Sequence, residues 1–64
     1  MEHIFYHNRY GFIFGYLDSM EEEWYRVELC RPVSGLYARW GRGEVKCLKR
    51  NEIVFSTLQS IESH

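Results

Sequence analysis

The sequence predicts an all-β fold, a small five-stranded antiparallel barrel, on three observations. Side chains alternate with period two rather than 3.6 through most of the chain. Aromatic and β-branched residues, which suit a pleated surface, fill the alternating segments; Phe, Tyr and Trp make up 17% of the 64 residues. Turn chemistry then cuts the chain into short pieces at DSMEEE (18–23), RPVSG (31–35), GRG (41–43) and RNE (50–52). Laid flat, five such strands would leave two apolar faces wet. Curling buries one face and protects most edges.

Each element follows in order. The opening HIFYHN (3–8) reads as a further strand or an N-terminal arm. In YGFIFGYL (10–17), Tyr10, Phe12, Phe14 and Tyr16 point one way, and Gly11, Ile13, Gly15 and Leu17 the other. Two glycines four apart on one face indicate a coiled strand or a close backbone approach. After the acidic turn, WYRVELC (24–30) sets Tyr25, Val27 and Leu29 against Arg26 and Glu28, the pattern of a half-buried antiparallel strand. RPVSG holds the only proline and reads as a loop. LYARW (36–40) resumes strand character, with Trp40 inward beside Leu36 and Ala38. GRG can supply the positive φ angles of a tight hairpin into EVKCLK (44–49), where Val45 and Cys47 face in and Lys46 faces out. IVFS (53–56) is the last strand, and TLQSIESH (57–64) holds a short helical turn or frays. The chain is then one domain over 1–64, with a barrel core at 10–55 and terminal arms at 1–9 and 56–64.

A chain of this length buries only about 60% of its unfolded surface, and such chains often add a disulfide, a metal or a partner subunit. Eleven aromatic side chains, each burying about 150–250 Å² when packed, exceed what one small core can enclose. Some must lie exposed, either as an interaction patch or as scattered half-buried rings. The net charge of −1 hides a gradient. Residues 1–30 carry six acids against two bases, and residues 31–64 carry six bases against three acids. No apolar stretch follows a charged start as in a signal peptide, and none reaches the ~20 residues of a membrane span. The expectation is a cytoplasmic protein, not membrane-bound, with Cys30 and Cys47 reduced and mostly buried.

The succession GFIFGYLD, charged turn, WYRVEL, glycine hairpin and EVKCLKRNEIVF, over residues 10–55, resembles the SH3-like barrel superfamily that includes Tudor and KOW modules. That resemblance implies a small barrel with loops at its ends. The pattern is also similar to type II dihydrofolate reductases, whose catalytic strand carries Val-Gln-Ile-Tyr. Here Val45-Lys46-Cys47-Leu48 has neither the glutamine nor the tyrosine, so that activity does not carry over. RYGFIFGYLD and WYRVEL look like hemimethylated-DNA-binding, heat-shock-type barrels as well, and no site transfers from them.

Chemistry has little foothold. His3 and His7, four apart, could join Cys30 and Cys47 in a tetrahedral site. Zinc motifs, however, pair their cysteines two to four residues apart, and these are seventeen apart. Two surface histidines and two buried thiols, with no metal and no cofactor, are the plainer expectation. A cysteine nucleophile needs an adjacent base and a lowered pKa. Glu21–Glu23 reads as a solvated turn, and a barrel this small has no interior for a substrate. The protein is expected not to be an enzyme.

Residues 31–50 hold six bases and one acid. On a hairpin turning at Gly41–Gly43, Tyr37, Arg39, Arg42, Lys46, Lys49 and Arg50 would converge on a common surface. The leading expectation is a binding module, a small regulatory adaptor or inhibitor whose basic, aromatic hairpin contacts a protein. Trp, Tyr and Arg are the commonest interface anchors, and compact regulators of phage or mobile-element type offer an analogy. The alternative is RNA or single-stranded nucleic acid, with bases on the rings and phosphates on the cations, although such domains usually carry a strong basic excess. The surplus of rings also leaves room for a homodimer.

Overall fold

The period-two stretches become strands in a computed structural model that describes residues 1–58. They are β1 (Glu2–His7), β2 (Gly11–Met20), β3 (Trp24–Leu29), β4 (Val33–Ser34), β5 (Arg39–Trp40), β6 (Val45–Lys49) and β7 (Ile53–Ser56), with a 3₁₀ turn over Arg50–Glu52. Five of them form one antiparallel sheet in the order β6-β3-β2-β1-β7, while β4 and β5 pair as a separate ribbon. The all-β class and the five-stranded antiparallel sheet are as expected; the membership is not. Residues 2–7 are no arm, because β1 lies between β2 and β7. LYARW is absent from the sheet. Most of the expected C-terminal helical turn falls on 59–64, outside the described residues; Thr57 and Leu58 form a turn.

Alternation decides which face is buried. Phe5 on β1, Ile13 on β2, Tyr25, Val27 and Leu29 on β3 and Leu48 on β6 fill the inner face, joined by Val33 and Ala38 from the ribbon and by Leu58. Gly15 stands opposite Leu29 with its backbone pressed against β3. A Cβ there would lie 2.5 Å from Val27 Cγ1 and 2.6 Å from the Glu28 carbonyl oxygen. The close approach expected of GFIFG is therefore located at its second glycine.

The strand ladder is open, since β6 and β7 end the order without pairing to each other. Even so, the sheet is curled. A straight strand of ten residues would hold its ends about 30 Å apart, whereas a three-residue 3₁₀ turn spans about 6 Å. Yet that turn touches the connections at both ends of β2: Arg50 N–H donates to Glu23 O (2.9 Å) and Asn8 N–H donates to Glu52 O (2.9 Å). β2 must bend for both bonds to form, and the irregular register between Leu17 and Ser19 is where a bulge lets it do so.

His3 and His7 are not on the surface. Both share the inner face of β1 with Phe5 and are buried. His7 Nδ1 accepts the backbone N–H groups of Arg9 (3.0 Å) and Tyr10 (3.2 Å). An Nδ1 that accepts twice carries no proton, so Nε2–H donates to Glu52 Oε1 at 3.0 Å. The ring also stacks on Tyr10 at 4.2 Å. One side chain thus closes the β1–β2 turn and ties it to the 3₁₀ turn.

β6 has the opposite phase to the one expected. Its register with β3 sets Leu48 beside Tyr25 and Lys46 beside Val27, so Leu48 is buried while Val45 and Cys47 are exposed. The expected burial of Cys47 is corrected accordingly, and Cys30 is half-buried. In VKCLK, two apolar residues of one parity compete with one of the other. Leu48, the largest, takes the core and forces the choice.

Candidate binding surface

The expected hairpin between LYARW and EVKCLK does not form. Arg39 and Trp40 pair instead with Ser34 and Val33, and β6 pairs with β3. Gly43 has a positive φ of 91° and Gly41 does not, so the GRG segment makes a turn of a different kind. Glu44 N–H donates to Gly41 O at 3.2 Å, while the Glu44 carboxylate accepts the Gly41 N–H. This backbone bond, reinforced by Lys46, holds the Glu44 carboxyl below its usual 4.5. Gly43 N–H then bonds Leu29 O (2.8 Å) and Leu29 N–H bonds Glu44 O (2.9 Å), delivering the chain to β3.

The six residues expected to converge are consequently dispersed. Lys46 and Lys49 differ in parity and leave β6 on opposite faces. Lys46 Nζ lies 3.4 Å from Glu44 and 4.9 Å from the Trp40 ring centre. Lys49 Nζ sits 5.7 Å from the Trp24 ring centre. Arg50 serves the fold: its Nη1 donates to Glu21 O at 3.1 Å, and its guanidinium covers Tyr25 at 4.9 Å. Tyr37, Arg39 and Arg42 remain exposed. Tyr37 shares a shallow depression with Asn8 and Arg9, whereas Arg42 lines another with Glu2, Tyr16 and Glu28.

A more compact feature is the tip of the β4–β5 ribbon. Val33 and Ala38 bury its base in the core, and Trp40 packs edge-on against Tyr10 at 4.6 Å. Gly35 N–H closes the tip on Ala38 O at 3.0 Å. Between them, Leu36 is 94% and Tyr37 69% exposed. An anchored base therefore presents two apolar side chains to solvent, with Arg39 beside them. Leu36 escaped sequence reading because alternation in LYARW assigned it to the buried face. The tip turns before the strand begins, so that parity does not apply.

The second exposed feature is the outer face of the sheet. Register places Phe12, Tyr6 and Phe55 side by side across β2, β1 and β7, and the three line an apolar depression. Tyr6 and Phe12 meet edge-on at 4.8 Å. Beside them, the Arg31 guanidinium lies 4.3 Å from the Phe14 ring centre. Towards the other edge the charges neutralise one another, with Arg26 3.6 Å from Asp18 and Arg31 3.8 Å from Glu2.

Among the described residues, no group of three or more His, Cys, Asp or Glu side chains is placed to hold a metal ion. Cys30 and Cys47 are free thiols. No helix among the described residues is long and apolar enough to cross a membrane. No family model, curated protein or solved structure matches the chain.

Proposed function

We propose that this protein is a non-catalytic binding module that docks onto a protein partner through the tip of its β4–β5 ribbon. The observation that carries this reading is the exposure of Leu36 and Tyr37 on a ribbon whose base is packed into the core. An apolar side chain held out on a rigid support loses little conformational freedom on binding, which is the economy expected of an interface anchor. Arg39 follows on β5, and Arg9 shares the depression beneath Tyr37, so the complementary groove should have an acidic rim. The strand order, with a 3₁₀ turn joining the two edge strands, supports an SH3-like arrangement, and ribbon insertions between strands of such a barrel are natural docking elements.

Nucleic-acid binding is the weaker reading. On the outer face Arg26 and Arg31 are matched by Asp18 and Glu2, Lys49 lies against the Trp24 ring, and the chain as a whole carries −1. Phosphate contacts draw on an unmatched basic surface.

The test is a pull-down with tagged protein, followed by titration of the recovered partner. Leu36→Ala with Tyr37→Ala should weaken the complex about 100-fold, the loss of two anchors at roughly 1–2 kcal/mol each. Equal recovery by the double variant would remove the ribbon tip from the interface. Retardation of RNA that falls steeply between low and high salt would favour nucleic acid instead.

A further inference from the structure

We infer that the outer face of the sheet is where two copies of this chain meet, packed face to face about the Phe12–Tyr6–Phe55 row. The row arises from register alone: Tyr6 stands opposite Phe12 on one side and Phe55 on the other. Their exposures are 59% for Phe12, 39% for Tyr6 and 49% for Phe55, with Tyr16, two positions beyond Phe14 on the same face, at 49%. Phe12, Tyr6 and Phe55 stand out from β2, β1 and β7 with no charged side chain between them, and Tyr16 stands opposite Glu2 at the end of the patch.

Area identifies the occupant. At about 200 Å² per aromatic side chain, the exposed parts of these four rings amount to about 400 Å² per chain. Two copies would bury about 800 Å² from these rings alone, most of the ~1,000 Å² that marks a specific interface. The half-buried Phe14 lies between Phe12 and Tyr16 on the same face, with the Arg31 guanidinium over its ring at 4.3 Å. Two sheets packed face to face interdigitate their side chains at about 10 Å separation, and a two-fold axis makes one patch its own complement.

Charge points the same way. Beside the aromatic row a heterologous partner with its own strong charge would find little matching field, because Arg31, the cation against Phe14, is already paired with Glu2, and Arg26 on β3 with Asp18. A second copy needs none, and at a net charge of −1 two chains scarcely repel. Stability gives a further reason. The core is small, the two cysteines are unpaired, and a short chain gains from a partner subunit what it cannot bury alone. This inference is independent of the ribbon tip, which lies on a different element; a face-to-face dimer would leave the chain with two copies of the tip.

The experiment is sedimentation equilibrium on the whole chain, with far-ultraviolet circular dichroism to verify folding. Wild type should be a concentration-dependent dimer. Phe12→Glu, and separately Phe55→Glu, should weaken association about 100-fold or more, because each sets an unpaired charge against its own symmetry mate. Both sites are exposed in the single chain, so the strand spectrum should be unchanged. Leu36→Asp, at the ribbon tip, should dimerise like wild type. Three results would overturn the inference: wild type sedimenting as monomer at submillimolar concentration, folded Phe12→Glu and Phe55→Glu dimerising undiminished, or Leu36→Asp abolishing the dimer.

Discussion

Gly15→Ala adds one methyl group where the sheet has no space for it. The new Cβ would stand 2.5 Å from Val27 Cγ1 and 2.6 Å from the Glu28 carbonyl oxygen, against 3.4–4 Å for ordinary contact. Neither neighbour can yield cheaply. Val27 is fully buried and stiff at χ1, and the oxygen belongs to the backbone of β3. The strands must therefore part by about 1 Å, straining adjacent bonds such as Cys30 N–H to Phe14 O at 2.8 Å. Overpacking of this kind costs about 1–3 kcal/mol, and a weakened backbone bond costs about 1 kcal/mol more. The lower entropy of the unfolded alanine chain returns about 0.4–1 kcal/mol. The net loss is about 2–3 kcal/mol from a total of about 3–10 kcal/mol for a chain of this size. Melting should fall by about 10–20 °C. Urea titration followed by tryptophan fluorescence measures it, with Gly35→Ala as the control. Nothing lies within 4 Å of a Cβ at Gly35, so that variant should be neutral or slightly stabilised. If Gly15→Ala stays within about 0.5 kcal/mol of wild type, the close packing of β2 on β3 is wrong.

Two more outcomes follow from single side chains, beside the binding and dimerisation tests above. His7→Ala removes the acceptor for the Arg9 and Tyr10 N–H groups and the donor to Glu52, and should cost about 2–4 kcal/mol in urea unfolding; Glu52→Gln, which can still accept from Nε2–H, should cost less than half as much. Glu44 has its carboxyl held low by the Gly41 N–H and by Lys46. A depressed folded-state value means that the carboxylate stabilises the fold fully above the usual 4.5 and loses that contribution as pH falls through the lower, folded value. Wild type should therefore lead Glu44→Gln above pH 4.5, and the gap should shrink on acidification below it; a constant gap would mean that the turn does not use the charge.

Much of the fold was legible because a strand's parity is a local property. In β3, Tyr25, Val27 and Leu29 against Arg26 and Glu28 are the buried and exposed faces that alternation predicts. In β2, alternation separates Phe12, Phe14 and Tyr16 from Ile13, Gly15 and Leu17 without deciding which set is buried, and Tyr10, grouped with the former, packs against the core. β6 was not legible, because VKCLK offers apolar residues at both parities and only the contact of Leu48 with Tyr25 breaks the tie. Residue type alone puts His3 and His7 at the surface, whereas their spacing on Phe5's face places them inside once β1 joins the sheet. The candidate site suffered most. Convergence of Tyr37, Arg39, Arg42, Lys46, Lys49 and Arg50 depended on one hairpin, and that hairpin lost its partner strand to β3.

Residue order alone thus settles the all-β class, several of the turns and the inner and outer faces of β3, since each rests on sterics and hydrophobicity within a few residues. The turn closed by Gly35 and Ala38, inside an expected strand, and the strand Val33–Ser34, inside an expected loop, are not among them. Tertiary structure alone decided which strands are neighbours. Pairing is a competition between distant segments, settled by the burial each arrangement achieves. That competition set β1 between β2 and β7, lined Phe12, Tyr6 and Phe55 into one row, and left Leu36 and Tyr37 standing in water.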